Sequence, residues 1–406
     1  MVEIKNPLYN AVAPSTQSIH ADSHLRATSD VTAPISVSTT FDYAKTSVDA
    51  CNYGPDQRYV YSREGTPVLT KVEATLSTLC EGHAVVYGSG LTAAYAVLIE
   101  HRPKKIALGD CYFGVREVVK QYQRLVPGVQ VVGLECSYEK VDLVWLESPI
   151  NPTGEVKDIG SYALRAHAAG AILVVDATLA PPPLSYPFRQ GADIVVHSAT
   201  KYMGGHSDLL AGIVVTKSAK SAETLRHARY ILGTGAGNLE HWLLLRSLRT
   251  LTVRIRQQSQ TASRIVALLE GHRRAAIHSA CHTPTAHELT LGSRIASVSH
   301  ASLQLCATHC SFIENQHPEG YGAVFAIRFK CKDSALFVAR HLGLHRFATS
   351  LGSVESLVDW RHGWDATADP TLLRVSVGLE AFDDLAKDWA QTLLALNDHE
   401  VAKAKI

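Results

Sequence analysis

The sequence lacks the features that mark several large classes of protein. It contains no apolar run near the roughly 20 residues that a membrane-spanning helix needs. Residues 1–16 have no basic segment followed by an apolar one, so no secretory signal is predicted there. The 39 Lys and Arg residues balance 38 Asp and Glu residues, and a net charge of +1 gives no field that attracts nucleic acid or anionic lipid. We therefore expect neither a membrane nor a nucleic-acid partner.

Paired-cysteine motifs are missing as well. None of the 8 cysteines belongs to a CxxC pair, and several lie in apolar stretches such as TLCEG and LQLCATHC. This pattern predicts buried free thiols in a reducing compartment, not a zinc ribbon or a redox centre. We therefore expect a cytoplasmic protein. The last residues, Ala404-Lys405-Ile406, loosely resemble a peroxisomal SKL-type signal, which makes the peroxisome the alternative.

The histidines give no metal-binding pattern. The sequence has 20 of them, and they are scattered. His278, His282 and His287 lie close together, but no HExxH helix is present, so no metal site is expected.

What the sequence does have is a globular composition, with 46% hydrophobic and 19% charged residues. Residues 1–60 are irregular and rich in Ser, Thr and Pro, and we predict an extended N-terminal arm that contacts elsewhere keep in order. Residues 61–250 are predicted to form a large domain. A long helix near Thr252 then opens a smaller α+β domain that spans residues 251–406.

Short apolar runs alternate with helical segments through the large domain. The runs are residues 83–89, 104–110, 141–148, 171–177 and 192–199. Strands that are buried on both faces of a parallel sheet have this pattern. Ligands bind beyond the carboxyl ends of such strands. We therefore expect one cleft to be lined by the clusters that follow the runs: Gly88-Ser89-Gly90, 110–114, 147–154, 176–178 and 198–201.

Two residues of these clusters suggest a specific chemistry. Lys201 follows a predicted buried strand and has hydroxyls nearby at Ser198 and Thr200. A lysine in this setting suits a Schiff base with an aldehyde that carries a phosphate. Asp176 closes another strand, where its carboxylate would pair with the pyridinium nitrogen of pyridoxal phosphate (PLP). The alternatives are a surface loop lysine and a helix-capping or turn aspartate.

Several motifs then resemble one family. VVDAT and SATKYMGGHSD, with YSREGTP, YGSG and ESPINPTG before them, resemble the PLP enzymes of cysteine and methionine metabolism, and the pattern is most similar to fungal cystathionine γ-synthase-like proteins. The resemblance runs from Ser18-Ile19-His20 to the C-terminal helix. It implies a fold type I PLP-dependent transferase of the α/β class, with a mostly parallel seven-stranded sheet. It also implies a homodimer or homotetramer whose subunits share active sites.

The resemblance assigns three catalytic residues. Lys201 would hold PLP as a Schiff base and move protons, and Asp176 would pair with the ring nitrogen. Tyr112 would stack on the ring and act as a base on the incoming amine, its alternative being a core tyrosine. Further cofactor contacts are implied at Ser89, Gly90, Leu91, Asn151, Thr178, Ser198 and Thr200, and from a neighbouring subunit at Tyr61 and Arg63.

Substrate contacts are implied at Asn151, Thr349, Ser350 and Arg374. Arg374 would clamp the α-carboxylate as a bidentate fork, its alternative being a structural ion pair. Ser350 would assist, or would be only a strand-end hydroxyl. We interpret Glu147 as a structural strand-end carboxylate.

The chain also departs from the family pattern. Ala177-Thr178-Leu179 replaces the usual Asn-Thr-Phe, and Thr66 and Val68 replace the usual residues of the YSRxGNPT motif. Cystathionine synthases and γ-lyases commonly carry a glutamate where this chain has Thr349. Its absence argues against cystathionine and against a cysteine nucleophile, whose ammonium needs an acidic partner.

We therefore predict γ-substitution on an O-activated L-homoserine, preferably O-acetyl-L-homoserine. A thiol, carbon or amine nucleophile would add at Cγ of a vinylglycine ketimine. The first alternative is a γ- or β-lyase acting on cystathionine or methionine. The second is a protein of this fold without catalytic activity, serving as a scaffold or sensor.

Overall fold

The computed structural model describes residues 12–25, 29–42, 59–278, 291–305 and 311–403, apart from the side chains of residues 278 and 400–403. The described residues form two compact units. The first lies within Met1–Glu147 and Ile159–Thr252, and the second within Ser148–Asp158 and Val253–Ile406. The sequence did not indicate that Ser148–Asp158 belongs with the second unit. The predicted division into an arm, a large domain and a small domain stays a prediction.

A seven-stranded sheet forms the centre of the first unit. Its strands, in chain order, are β1 His83–Tyr87, β2 Lys105–Leu108, β3 Gln130–Val132, β4 Leu143–Glu147, β5 Ile172–Asp176, β6 Ile194–Ser198 and β7 Gly212–Thr216. The spatial order is β1-β7-β6-β5-β4-β2-β3. Only β7 runs against its neighbours, β1 and β6. The predicted, mostly parallel sheet is therefore confirmed.

Side-chain caps mark the start of several described helices of the first unit. They are α1 Pro14–His20, α2 Pro67–Leu79, α3 Gly90–His101, α4 Phe113–Leu125, α5 Ile159–Ala168, α6 Ala219–Leu232 and α7 Asn238–Leu248. Thr66 caps α2 by accepting the N–H of Leu69, and Pro67 stands at its first position. The apolar face of α3 packs with the buried strand residues Val85 and Trp145 in one hydrophobic cluster.

The N-terminal segment is not wholly extended, because α1 lies within the predicted arm. It is held by the rest of the first unit, as expected. Asp22 forms ion pairs with Arg249, at 2.7 Å, and with Lys71, at 3.3 Å. The indole N–H of Trp242 donates to the carbonyl of Ala33 at 2.8 Å.

The second unit contains a five-stranded sheet of order β10-β11-β12-β9-β8. The strands are β8 Ile295–Ser299, β9 Val324–Phe329, β10 Arg346–Phe347, β11 Leu357–Asp359 and β12 Leu372–Ser376. The helices are α8 Leu251–His278, α9 Ala301–Gln304, α10 Phe312–Gln316, α11 Lys332–His341 and α12 Phe382–Lys403. All strand pairs are antiparallel except β10 with β11. Phe325 packs near Trp389, with ring centroids 6.3 Å apart.

Four cysteines are described, and all are free thiols. Cys80 and Cys111 are buried as predicted, whereas Cys136 is half-buried and Cys331 is exposed. Among the described helices, none is long and apolar enough to span a membrane. The predicted C-terminal signal, Ala404-Lys405-Ile406, lies outside the described residues.

Candidate active site

The carboxyl end of β5 presents a buried acid. Asp176 is its last residue and is only 8% exposed. Its Oδ1 accepts hydrogen bonds from the backbone N–H of Thr178 at 3.0 Å and from the Thr178 hydroxyl at 2.6 Å. The Thr178 Oγ1 accepts the N–H of Ser198 at 2.8 Å. Burial raises the pKa of Asp176, and the two bonds from Thr178 only partly oppose this. A carboxylate in this position is stabilised by a cation.

The N-terminus of α3 lies against the end of β6. Ser89 caps the helix, its Oγ accepting the N–H of Thr92 at 3.1 Å. A Cβ on Gly90 would lie 2.9 Å from Cβ of Ser198, and a Cβ on Gly212 would collide with the carbonyl of Ser89. Only glycines allow this approach. Ser89, Gly90 and Ser198 are therefore brought together where the free N–H groups of a helix favour an anion such as phosphate.

The N-terminus of α4 carries Tyr112. Its backbone N–H donates to Oε2 of Glu147 at 2.6 Å. A Cβ on Gly114 would lie 2.6 Å from Cε1 of Tyr112 and 2.8 Å from Cδ2 of Leu91, so both side chains lie over Gly114. Tyr112 is 37% exposed, which excludes the core-tyrosine alternative within this chain. Glu147, interpreted from sequence as merely structural, fixes the position of Tyr112.

Lys201 lies in the tight turn that follows β6. Its N–H donates to the carbonyl of Ser198 at 3.1 Å, and its carbonyl accepts the N–H of Gly205 at 2.7 Å. The Thr200 hydroxyl oxygen accepts the N–H of Ala211 at 3.1 Å. These bonds anchor the turn to the start of β7. Lys201 is half-buried, so the alternative of an exposed loop lysine does not describe it.

The two residues predicted to reach a neighbouring subunit, Tyr61 and Arg63, contact each other. Tyr61 is 42% exposed, and Cζ of Arg63 lies 5.1 Å from the ring centroids of both Tyr61 and Tyr230. Their reach to a neighbouring subunit stays a prediction.

The predicted substrate residues lie in the second unit. Arg374 on β12 is directly opposite Asp359 on β11. One Nη of Arg374 lies 2.9 Å from Oδ2 of Asp359, and the same nitrogen donates to the carbonyl of Ser350 at 2.7 Å. Arg374 therefore does form the ion pair given as its alternative. Ser350 has a φ of +75°, a strained value for a residue other than glycine, and Thr349 is exposed.

A second arginine of this unit was missed by sequence reasoning. Arg361 follows β11 and donates from Nη1 to Oδ1 of Asn151 at 3.3 Å. No motif marks this residue, because its hydrogen-bond partner, Asn151, is distant in sequence. Within the ranges that the structure describes, no group of three His, Cys, Asp or Glu side chains is arranged to hold a metal ion.

The first unit fits PLP. Its parallel strands end in a half-buried lysine, an acid whose pKa burial has raised, and a helix N-terminus that only glycine can bring so close to Ser198. An aldehyde, a pyridinium and a phosphate are the groups that these three features would hold. The fold and this site define the class of PLP-dependent enzymes.

The comparison with protein families agrees. The model for "Cys/Met metabolism PLP-dependent enzyme" matches residues 15–394, and the chain belongs to this family. The chain is 31% identical to cystathionine γ-lyase of Saccharomyces cerevisiae, covering 93% of this chain and 96% of that protein. It is also 31% identical to the chloroplastic cystathionine β-lyase of Arabidopsis thaliana, covering 81% and 71%, respectively. Cystathionine γ-synthase of Mycobacterium bovis is 28% identical, covering 94% and 96%.

Solved structures show the same fold. MetB of Corynebacterium glutamicum superposes with a TM-score of 0.82 at 27% identity, covering 96% of this chain and 99% of that chain. Yeast cystathionine γ-lyase gives a TM-score of 0.81 at 29% identity, covering 95% and 98%. The predicted family, fold and cofactor are confirmed.

Proposed function

We propose that the protein catalyses γ-substitution on an O-activated L-homoserine, with O-acetyl-L-homoserine as the preferred substrate. The bond from Cγ to the ester oxygen breaks and acetate leaves. A nucleophile then forms a bond to Cγ and gives up its proton.

The residues of the first unit divide this work. PLP, when bound, supplies an electron sink for negative charge that develops next to the amino group. Asp176 keeps the ring nitrogen protonated, and the hydrogen bonds from Thr178 orient its carboxylate. Lys201 takes and returns the protons on Cα and Cβ. Tyr112, positioned by Glu147, serves as the base for the incoming amine.

The observation that carries the proposed nucleophile is Thr349. This residue is exposed and uncharged where cystathionine synthases and γ-lyases commonly have a glutamate. Asp359 does not replace that acid, because it is buried and paired with Arg374. A substrate whose distal end carries an ammonium, such as cystathionine or cysteine, gains no acidic partner from Thr349. This favours a nucleophile without an ammonium.

Product analysis tests the proposal. The holoenzyme is incubated with O-acetyl-L-homoserine, alone and with thiol, amine and β-keto acid nucleophiles, and the products are identified by mass spectrometry. L-homoserine, which lacks the activated leaving group, is the control. We expect acetate and a new amino-acid adduct. Release of 2-oxobutyrate and ammonia with every nucleophile would indicate elimination, and no reaction would contradict the proposal.

A lyase is the second candidate. The names of the yeast and Arabidopsis relatives, a cystathionine γ-lyase and a cystathionine β-lyase, favour it. Elimination would use the same residues, with water and a proton replacing the nucleophile. Incubation with L-cystathionine and with L-methionine tests this candidate, which predicts a keto acid and ammonia from at least one of them.

A further inference from the structure

Arg63 is an exposed cation that contacts two aromatic rings of its own chain. Its guanidinium carbon, Cζ, lies 5.1 Å from the ring centroid of Tyr61 and 5.1 Å from that of Tyr230. Among the described residues, no carboxylate forms an ion pair with Arg63 and no oxygen accepts a hydrogen bond from it. The two rings therefore hold the guanidinium while its charge and its N–H donors stay available to an anion.

The backbone around Arg63 is held in a turn. The N–H of Gly65 donates to the carbonyl of Tyr61 at 3.2 Å. The N-terminal segment pairs with this turn, because the N–H of Ser62 donates to the carbonyl of Thr39 at 2.8 Å. These bonds fix the main chain, and the position of the long arginine side chain is left to its ring contacts.

Tyr230 belongs to a firmly anchored part of helix α6. The preceding residue, Arg229, is only 3% exposed. Its Nη1 lies 2.6 Å from Oε1 of Glu73 on α2 and donates to the carbonyl of Val86 on β1 at 2.9 Å. Charge-assisted bonds of this kind attach the end of the helix to the sheet. Since Tyr230 is itself half-buried, its ring offers the guanidinium a fixed surface.

The family resemblance implies that Arg63 contacts the phosphate of PLP in a neighbouring subunit, and it assigns nothing to Tyr230. We propose that Tyr230 is a positioning residue for Arg63, whose guanidinium it holds ready for the phosphate without neutralising it. A carboxylate in place of the ring would compete with the phosphate for the same charge and donors. This inference goes beyond the proposed function, because it concerns retention of the cofactor and not the choice of substrate.

Binding of PLP to the PLP-free protein tests this role without relying on turnover. Dissociation constants are measured for PLP and for pyridoxal, the same aldehyde without the phosphate, from the yellow absorption of the lysine-bound aldehyde. The variants are Tyr230→Leu, Tyr230→Phe, Arg63→Gln and the double variant of Tyr230→Leu with Arg63→Gln. Tyr186→Leu is the matched control, because it removes a similar contact elsewhere in the first unit, where Cζ of Arg189 lies 3.9 Å from the ring centroid.

We expect Tyr230→Leu to weaken PLP binding by about 2- to 5-fold, because a cation–π contact at an exposed site is lost. Tyr230→Phe keeps the ring and should bind PLP as wild type does, and so should Tyr186→Leu. Arg63→Gln should weaken PLP binding by about 10- to 100-fold, because charge-assisted bonds to the phosphate are lost. The double variant should bind no more weakly than Arg63→Gln, since Tyr230 acts through Arg63. Pyridoxal should bind equally to all of them, which also shows that the variants are folded.

Four results would overturn the inference. Unchanged affinity of Tyr230→Leu for PLP would show that the ring does not position Arg63. An equal loss for pyridoxal would make the role of the ring structural. Additive losses in the double variant would make the two residues independent. Unchanged affinity of Arg63→Gln for PLP would show that Arg63 binds no phosphate. None of these results involves a substrate, so the proposed function would stand in each case.

Discussion

The two units of the chain bury their charges differently. In the first unit Glu73 is fully paired, with Arg229 at 2.6 Å and Arg226 at 3.0 Å, but no cation in the described part of the chain pairs with Asp176. In the second unit the buried Asp359 is paired with a buried cation, Arg374, at 2.9 Å. The first unit therefore leaves an acid for a cationic ring, whereas the second unit neutralises its buried acid within the chain.

The two units also differ in how closely they follow the family pattern at the residues predicted to hold the cofactor and at those predicted to contact the substrate. The first unit keeps Lys201, Asp176 and Tyr112, which are predicted to contact PLP, although Ala177 and Leu179 depart from the family pattern beside Asp176. The second unit has Thr349 where cystathionine synthases and γ-lyases commonly have a glutamate, at a position predicted to contact the substrate. The following predictions test the division, beginning with the largest effect.

Loss of the lysine in the first unit should have the largest effect. Lys201→Ala should lower turnover by at least about 1,000-fold, because both the covalent hold on PLP and the proton transfers depend on it. Thermal unfolding of the PLP-free proteins should be nearly the same, since Lys201 is only half-buried and the lost hold on PLP does not enter there. The yellow absorption of lysine-bound PLP near about 420 nm should also disappear. Substantial residual turnover would break the assignment.

The buried carboxylate of Asp176 should destabilise the folded protein when PLP is absent. In the PLP-free protein burial raises its pKa above the unfolded value. The folded state therefore loses stability as the pH rises through that raised pKa, and the loss is absent below the usual range of an aspartate. Asp176→Asn cannot ionise, so near pH 8 the PLP-free variant should be more stable than wild type by about 1–3 kcal/mol.

Denaturant unfolding of both PLP-free proteins at about pH 4 and pH 8 measures this difference. It should shrink at the lower pH. With PLP bound, we expect the pyridinium to supply the missing cation. Wild type should then be more stable than Asp176→Asn. A variant less stable than wild type under every condition would mean that Asp176 has a purely structural role.

The smallest effect is expected at Thr349. Thr349→Glu should raise the preference for L-cysteine over 3-mercaptopropionate, the same thiol without its amine, by about 3- to 10-fold in kcat/KM. The new carboxylate pairs with the cysteine ammonium, but its exposure limits the gain. Thr349→Gln, which has the same shape without the charge, should leave the preference unchanged.

The sequence predicted the first unit better than the second. Lys201 and Gly90 each follow a short apolar run and Asp176 closes one, so the strand pattern alone places them at one edge of the sheet. The strand β7 was missed, because its direction is set by pairing with β1 and β6 and leaves no local signal.

The second unit depends on distant pairings. The register of β11 against β12 brings Asp359 opposite Arg374, and Arg361 donates a hydrogen bond to Asn151, which lies far away in the chain. No motif or periodicity encodes such contacts. Sequence reasoning therefore identified Arg374 only through family resemblance and did not identify Arg361.

The claim that the substrate-selecting residues have changed is tested most directly with wild-type holoenzyme. The measurement is kcat/KM for 3-mercaptopropionate and for L-cysteine, each with saturating O-acetyl-L-homoserine. With Thr349 in place of an acid, the account predicts that the thiol without an amine is the better nucleophile. A clear preference for L-cysteine, with cystathionine as the product, would contradict it.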